Sequence, residues 1–142
     1  MRIWILLPLF AACAGSPIRQ FVGAGSPTRH VVDAGAIGPY SSAVVAGDFV
    51  FVAGKIGERG GSFEHEVETC IDAVERTLAD LDLNLGDVVE ARVYLLDMER
   101  YGDFNAIYGK RFPAPYPART CVGVASLPGG ARVELQVAAR RR

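Results

Sequence analysis

From residue 30 onward, hydrophobic and polar positions recur with periods that name their elements. Ala43-Val44-Val45-Ala46 and Phe49-Val50-Phe51-Val52-Ala53 flank Gly47-Asp48, which predicts two β-strands joined by a tight turn. Ser62 is placed to cap a helix, and Phe63, Val67, Cys70, Ile71, Val74, Leu78 and Leu81 follow at helical spacing. Glu64, Glu66 and Glu68 suit the positive end of that helix dipole. Val88–Leu96 reads as a strand, and Met98–Phe112 as a second helix carrying Tyr101, Phe104, Ile107 and Tyr108 on one side. Pro113, Pro115 and Pro117 end it and force an extended segment. Thr120–Leu127 and Ala131–Ala139 read as two last strands around Pro128-Gly129-Gly130. The order ββαβαββ, with a further short strand near Val31-Val32, predicts an α+β domain: a mixed sheet of about six strands with two helices on one face.

The start of the chain follows a different pattern. Arg2 precedes a short apolar run from Ile3 to Ala12, and Cys13 follows. One positive charge, a run of about ten apolar residues and then small residues form the outline of a secretory leader. The run is too short to span a bilayer as a helix, which takes roughly 20 residues. Ala11-Ala12-Cys13 resembles a bacterial lipobox, making Cys13 a candidate lipidation site and membrane tether, with plain cleavage after Ala14 as the competitor. A start site further downstream is the third reading. The protein is exported to the periplasm or envelope if the leader is real, and cytoplasmic if the start lies downstream. Residues 14–29 hold a near-repeat, Ala14-Gly15-Ser16-Pro17-Ile18-Arg19 and Ala24-Gly25-Ser26-Pro27-Thr28-Arg29, and read as a linker. The predicted division is therefore leader 1–13, linker 14–29 and domain 30–142.

Composition narrows the function classes. A chain of 142 residues fits one domain, and 22% charged against 50% hydrophobic residues excludes general disorder. A formal net charge of −1 argues against a broad nucleic-acid surface. Arg140-Arg141-Arg142 reads as a solvated tail. Three cysteines are far from a disulfide scaffold. There is no Walker loop, no GxGxxG after a strand and no CxxC pair, and His30 and His65 lack ligand spacing to any cysteine.

One constellation can carry chemistry. Arg119 begins one predicted strand and Glu134 lies on the next, so the Pro128-Gly129-Gly130 turn is expected to place them on neighbouring strands. A guanidinium fork can hold a carboxylate, and a glutamate can hold a water and move protons. An ordinary cross-strand salt bridge is the competing reading.

Ile37-Gly38-Pro39-Tyr40-Ser41, Phe51-Val52-Ala53-Gly54-Lys55, Asp103-Phe104-Asn105-Ala106-Ile107-Tyr108 and the block PARTCVGVASLPGGARVELQVAA together resemble the RidA/YjgF family of enamine/imine deaminases. The resemblance covers roughly residues 31–142 in unbroken order. It implies a chorismate-mutase-like homotrimer with clefts between subunits, hydrolysing enamines and imines of the 2-aminoacrylate type to 2-oxo acids and ammonia without metal or organic cofactor. It also implies site roles. Arg119 would clamp the substrate carboxylate and Glu134 would activate the attacking water. Cys121 would line the cleft mainly through its backbone, Tyr40 would close it and Asn105 would stand near its wall. A nucleophilic Cys121 is not expected, because neither histidine has an evident path to activate it.

Three features depart from the family pattern. Ala53-Gly54-Lys55 stands where the family commonly has Ser-Gly-Gln, so the substrate-binding position Ala53 lacks a hydroxyl. The loop from Ile56 to Gly61 is short, and the leader is unusual. Two other functions compete: a non-catalytic envelope module that binds small carboxylate metabolites, and the RNA cleavage attributed to some relatives, which the charge balance supports weakly.

Overall fold

The computed structural model describes residues 29–32 and 38–141. The leader, nearly all of the linker and the candidate lipidation at Cys13 lie outside the described residues. Arg29, read above as the end of the linker, instead opens the first strand, β1 (Arg29–Val32).

The domain follows the predicted order. After β1 come β2 (Ala43–Ala46), β3 (Phe49–Ile56), α1 (Phe63–Ala79), β4 (Val88–Leu95), α2 (Tyr101–Arg111), β5 (Ala118–Gly123) and β6 (Val133–Arg140). Gly47 takes φ 58° at the β2–β3 turn, a conformation that glycine adopts without steric cost. Ser62 caps α1, its Oγ accepting from the His65 amide at 3.1 Å. Phe112, extended ahead of Pro113, ends α2.

The six strands form one mixed sheet in the order β1-β2-β3-β6-β4-β5. Crossovers explain that order. Helix α2 links β4 to a parallel β5 at the sheet edge. Helix α1 links β3 to β4, which run parallel with a one-strand gap between them, and β6 fills the gap antiparallel to both. The expected adjacency of the last two strands is therefore corrected: β4 separates β5 from β6. The final strand is central and its burial strictly alternates, with Val133, Leu135, Val137 and Ala139 in the core.

Both helices contribute their apolar sides to a single core with β2, β3, β4 and β6. Among the described residues, no helix covers the opposite face of the sheet. There Phe49 and Phe51 are 43% and 50% exposed, alternating with buried Val50 and Val52. Glu66 stands in the first turn of α1, as the dipole reading expects. It is also 1% exposed, and it accepts from the Arg132 amide at 2.7 Å and from Arg132 Nε at 2.6 Å. This half-buried pair ties the start of β6 to the first turn of α1.

Candidate active site

Arg119 lies on the edge strand β5 opposite Ala91, a fully buried residue on the helix-covered face. Its guanidinium is held by α2. Nη2 donates to Asn105 Oδ1 at 2.7 Å and to the Tyr101 hydroxyl at 3.2 Å. Its Cζ stands 4.6 Å from the centre of the Tyr108 ring and 5.6 Å from that of Phe104. All these partners are neutral, and none of the ion pairs among the described residues includes Arg119. A half-buried cation fixed in this way keeps its charge for an external anion. A cavity of about 350 Å³ opens beside it, lined by Asn105, Tyr108, Gly109, Tyr116, Pro117 and Arg119.

Cys121 sits two residues further along β5, opposite Val93, and so shares the face of Arg119. Burial pushes its thiol pKa up, with Arg119 only partly opposing the shift. That favours the protonated thiol and fits a wall rather than a nucleophile. The buried Cys70 is further from reactivity: burial raises it to about 12, and Sγ donates to the Lys55 carbonyl at 3.1 Å.

Glu134 occupies a separate half-site. It pairs with Tyr94 across β4 and with Ile56 across β3, on the uncovered face of the sheet. Arg119 and Glu134 thus stand on opposite faces, two strands and three residue steps apart, roughly 14 Å between Cα atoms. The cross-strand salt bridge is thereby ruled out. Burial raises the Glu134 carboxyl above its ordinary value of 4.5. It lies against the bulge in β3, where register shifts between Val52 and Lys55. A Cβ at Gly54 would lie 1.8 Å from Glu134 Oε1, so the carboxylate rests where only glycine leaves room.

The other expected site residues divide between these two regions. Asn105 joins Arg119 directly. Ala53 neighbours Gly54 at the bulge, and its amide donates to the Ser42 carbonyl at 2.9 Å. This ties Ser42 to β3, and Tyr40 two residues earlier is 47% exposed, so it closes neither half-site within the single chain. Lys55 pairs with the core residue Leu135, so its side chain leaves the sheet on the face opposite Glu134, and burial lowers its pKa. The short loop after β3 forms an open depression of about 620 Å³ with Gly129 and Gly130, where Arg59 Nη1 donates to the Gly129 carbonyl. Its walls are mostly glycine with exposed Glu58 and Arg59, so the half-buried Arg119 cavity is the better candidate for chemistry despite being smaller.

Sequence reading missed Tyr101, Tyr108 and Tyr116 as site walls and Gly54 as the support of Glu134. The helical spacing of Tyr101 and Tyr108 signalled only a core face, yet both also face the guanidinium. Among the described residues, no group of three or more His, Cys, Asp or Glu side chains could hold a metal ion.

The fold and these half-sites define a small α+β protein that presents an anchored arginine beside an aromatic cavity. Residues 31–141 match the family described as Endoribonuclease L-PSP, and the chain belongs to this RidA/YjgF/L-PSP family. It is 34% identical over 128 residues to yeast Protein MMF1, mitochondrial (Saccharomyces cerevisiae), covering 86% of this chain and 88% of that one. It is 33% identical over 126 residues to Reactive Intermediate Deaminase A, chloroplastic, of Arabidopsis thaliana, covering 81% and 67% of the two chains. The crystal structure of E. coli TdcF with bound serine superposes with a TM-score of 0.72 at 29% identity, covering 78% of this chain and 94% of that one.

Proposed function

We propose that the protein hydrolyses reactive 2-enamino and 2-imino acids of the 2-aminoacrylate type to 2-oxo acids and ammonia. The observation that carries this reading is Arg119, a half-buried guanidinium fixed wholly by neutral partners beside an open cavity. Relatives named as reactive intermediate deaminases support it, as does a bound amino acid in the TdcF structure.

In this mechanism Arg119 takes the substrate carboxylate through its unused N–H groups and orients C2. The imine carbon is already electrophilic, so positioning and one acid/base group suffice. Glu134 accepts a proton from the attacking water and returns it to nitrogen. In the resulting carbinolamine, Glu134 takes the hydroxyl proton and passes it to nitrogen as the C2–N bond breaks. The C2–O bond becomes a carbonyl, so one imine and one water leave as 2-oxo acid and ammonia. Because one chain holds Arg119 and Glu134 on opposite sheet faces, the working cleft combines Arg119 of one copy with Glu134 of the next. The uncovered face bearing Phe49 and Phe51 packs against other copies in a homotrimer, which buries an apolar surface the single chain leaves in water.

The test is 2-oxo acid release from imines generated by an amino-acid oxidase; equal rates with wild type and Arg119→Ala would sink the proposal. The shared cleft has its own check. Mixed trimers of inactive Arg119→Ala and Glu134→Gln chains regain about a quarter of wild-type activity, since random assembly leaves that share of clefts with both native groups. No regain would place both groups in one copy's site. The second reading, a non-catalytic carboxylate-binding module, draws on Ala53, which lacks the family's hydroxyl. It predicts saturable 2-oxo acid binding by calorimetry without turnover.

A further inference from the structure

The cavity beside Arg119 holds more space than a carboxylate needs. Its volume of about 350 Å³ falls within the roughly 300–1,000 Å³ of small-molecule sites. Beyond Arg119 and Asn105, its walls are Tyr108, Gly109, Tyr116 and Pro117. Tyr116 is 58% exposed, but its hydroxyl donates to the Gly109 carbonyl at 3.3 Å, which moors it as the outer wall. Gly109 keeps the space open. A Cβ there would meet only the Tyr116 hydroxyl, at 3.7 Å, although glycine is unfavourable inside a helix such as α2. The inner wall is unfinished as well. Tyr108 is 4% exposed, and its buried hydroxyl has no hydrogen-bond partner among the described residues. Burial also raises that hydroxyl to about 12, so it stays protonated and neutral in the wall.

We propose that this cavity is the side-chain pocket of the site, selecting 2-imino acids with bulky apolar side chains, branched or aromatic, over alanine-derived ones. The proposal rests on the reading of Arg119 as the carboxylate anchor. With the carboxylate on the guanidinium, the substituent on C3 lies only a few bonds away and enters the space between Tyr108 and Tyr116. Apolar walls of this kind discriminate by roughly tenfold or more for each additional buried methylene.

The experiment compares kcat/KM of the full chain on imines generated from alanine, leucine and phenylalanine. In wild type the leucine/alanine and phenylalanine/alanine ratios exceed ten. Gly109→Leu, which fills the pocket, and Tyr116→Ala, which removes its exposed wall, each lower those ratios at least tenfold. Thermal melting of both variants confirms folding, and the exposed Tyr116 keeps the test open if the helix variant fails. A wild-type ratio below one, or ratios unchanged within twofold in a folded variant, overturns the pocket. Calorimetry with 4-methyl-2-oxopentanoate and pyruvate separates the two proposals. If no imine is turned over, the deaminase reading fails, while tighter binding of the larger oxo acid that Gly109→Leu abolishes still supports the pocket. Equal affinity for both oxo acids overturns it.

Discussion

Two arginines near α2 show how the same side chain serves opposite purposes. Arg111, in the last turn of α2, reaches α1 and meets Glu68 at 2.5 Å, Asp72 at 2.6 Å and Glu75 at 2.5 Å. Burial alone would lower its pKa, but hydrogen bonds to these three carboxylates override it and raise the pKa. Among the described residues, Arg119 has no carboxylate partner. An amide oxygen, a phenol and aromatic faces hold it in place without cancelling its charge. Arg111 joins two helices through its charge; the charge of Arg119 is left unneutralised by the described residues, as the proposed carboxylate anchor requires. Rigidity and charge neutralisation are separate properties, and an anion site requires the first without the second.

The largest expected effect tests the open half of this contrast. Arg119→Ala lowers kcat/KM on imino acids about 100-fold, in line with about 2–3 kcal/mol for a charge-assisted contact to the carboxylate. Its melting temperature stays near wild type, because no buried carboxylate is orphaned. Arg119→Lys recovers little of the loss, since an ammonium cannot reproduce the fork geometry. A stability loss as large as the activity loss would show that Arg119 is a structural residue like Arg111.

Glu134→Gln removes the proposed base and lowers kcat by roughly 100-fold or more. The wild-type pH profile gives an independent check. Burial raises the Glu134 pKa, so the acid limb of kcat/KM lies above the ordinary 4.5 and activity falls as pH drops through it. Stability has the opposite sign. The ionised carboxylate is the form that burial disfavours, so its penalty is present at neutral pH and vanishes below its unfolded pKa. Glu134→Gln therefore raises the melting temperature at pH 7, and this gain shrinks on acidification. An acid limb at or below 4.5 that persists unchanged in Glu134→Gln would remove Glu134 from the mechanism.

The closed half of the contrast predicts a smaller effect on another axis. Arg111→Met leaves three carboxylates crowded on α1 and costs about 1–2 kcal/mol of stability, discounted because these groups are 42–43% exposed. High salt reduces the loss by screening the carboxylates from each other. Activity per folded molecule changes less than twofold. Smallest of all, Cys121→Ala alters kcat/KM by less than about threefold, since burial keeps its thiol protonated. A larger loss, or inactivation by a thiol reagent that Cys121→Ala prevents, would make this cysteine a participant.

Most elements were legible because their signals are local. The apolar stripe from Phe63 to Leu78, the Ser62 cap and the Gly47-Asp48 turn each depend on neighbours within a few residues. Strand order was not local. Sequential strands pair more often than not, which made β5 and β6 natural neighbours. The α2 crossover instead places β5 parallel to β4 at the edge, while β6 fills the gap left by α1. Glu66 divides in the same way: its place in the first helical turn, suited to the dipole, was legible, and only packing reveals Arg132 against it.

By itself, the sequence determined the period of each element, the apolar faces, the family and the two residues on which the chemistry is argued, because residue type and spacing carry that information directly. Tertiary structure alone decided their relation. It set Arg119 and Glu134 on opposite faces of one sheet, which is why the cleft proposed for them combines two copies. It also decided which charges are spent, since Arg111 and Arg119 are identical in composition and differ only in what α1 and α2 bring within hydrogen-bond reach.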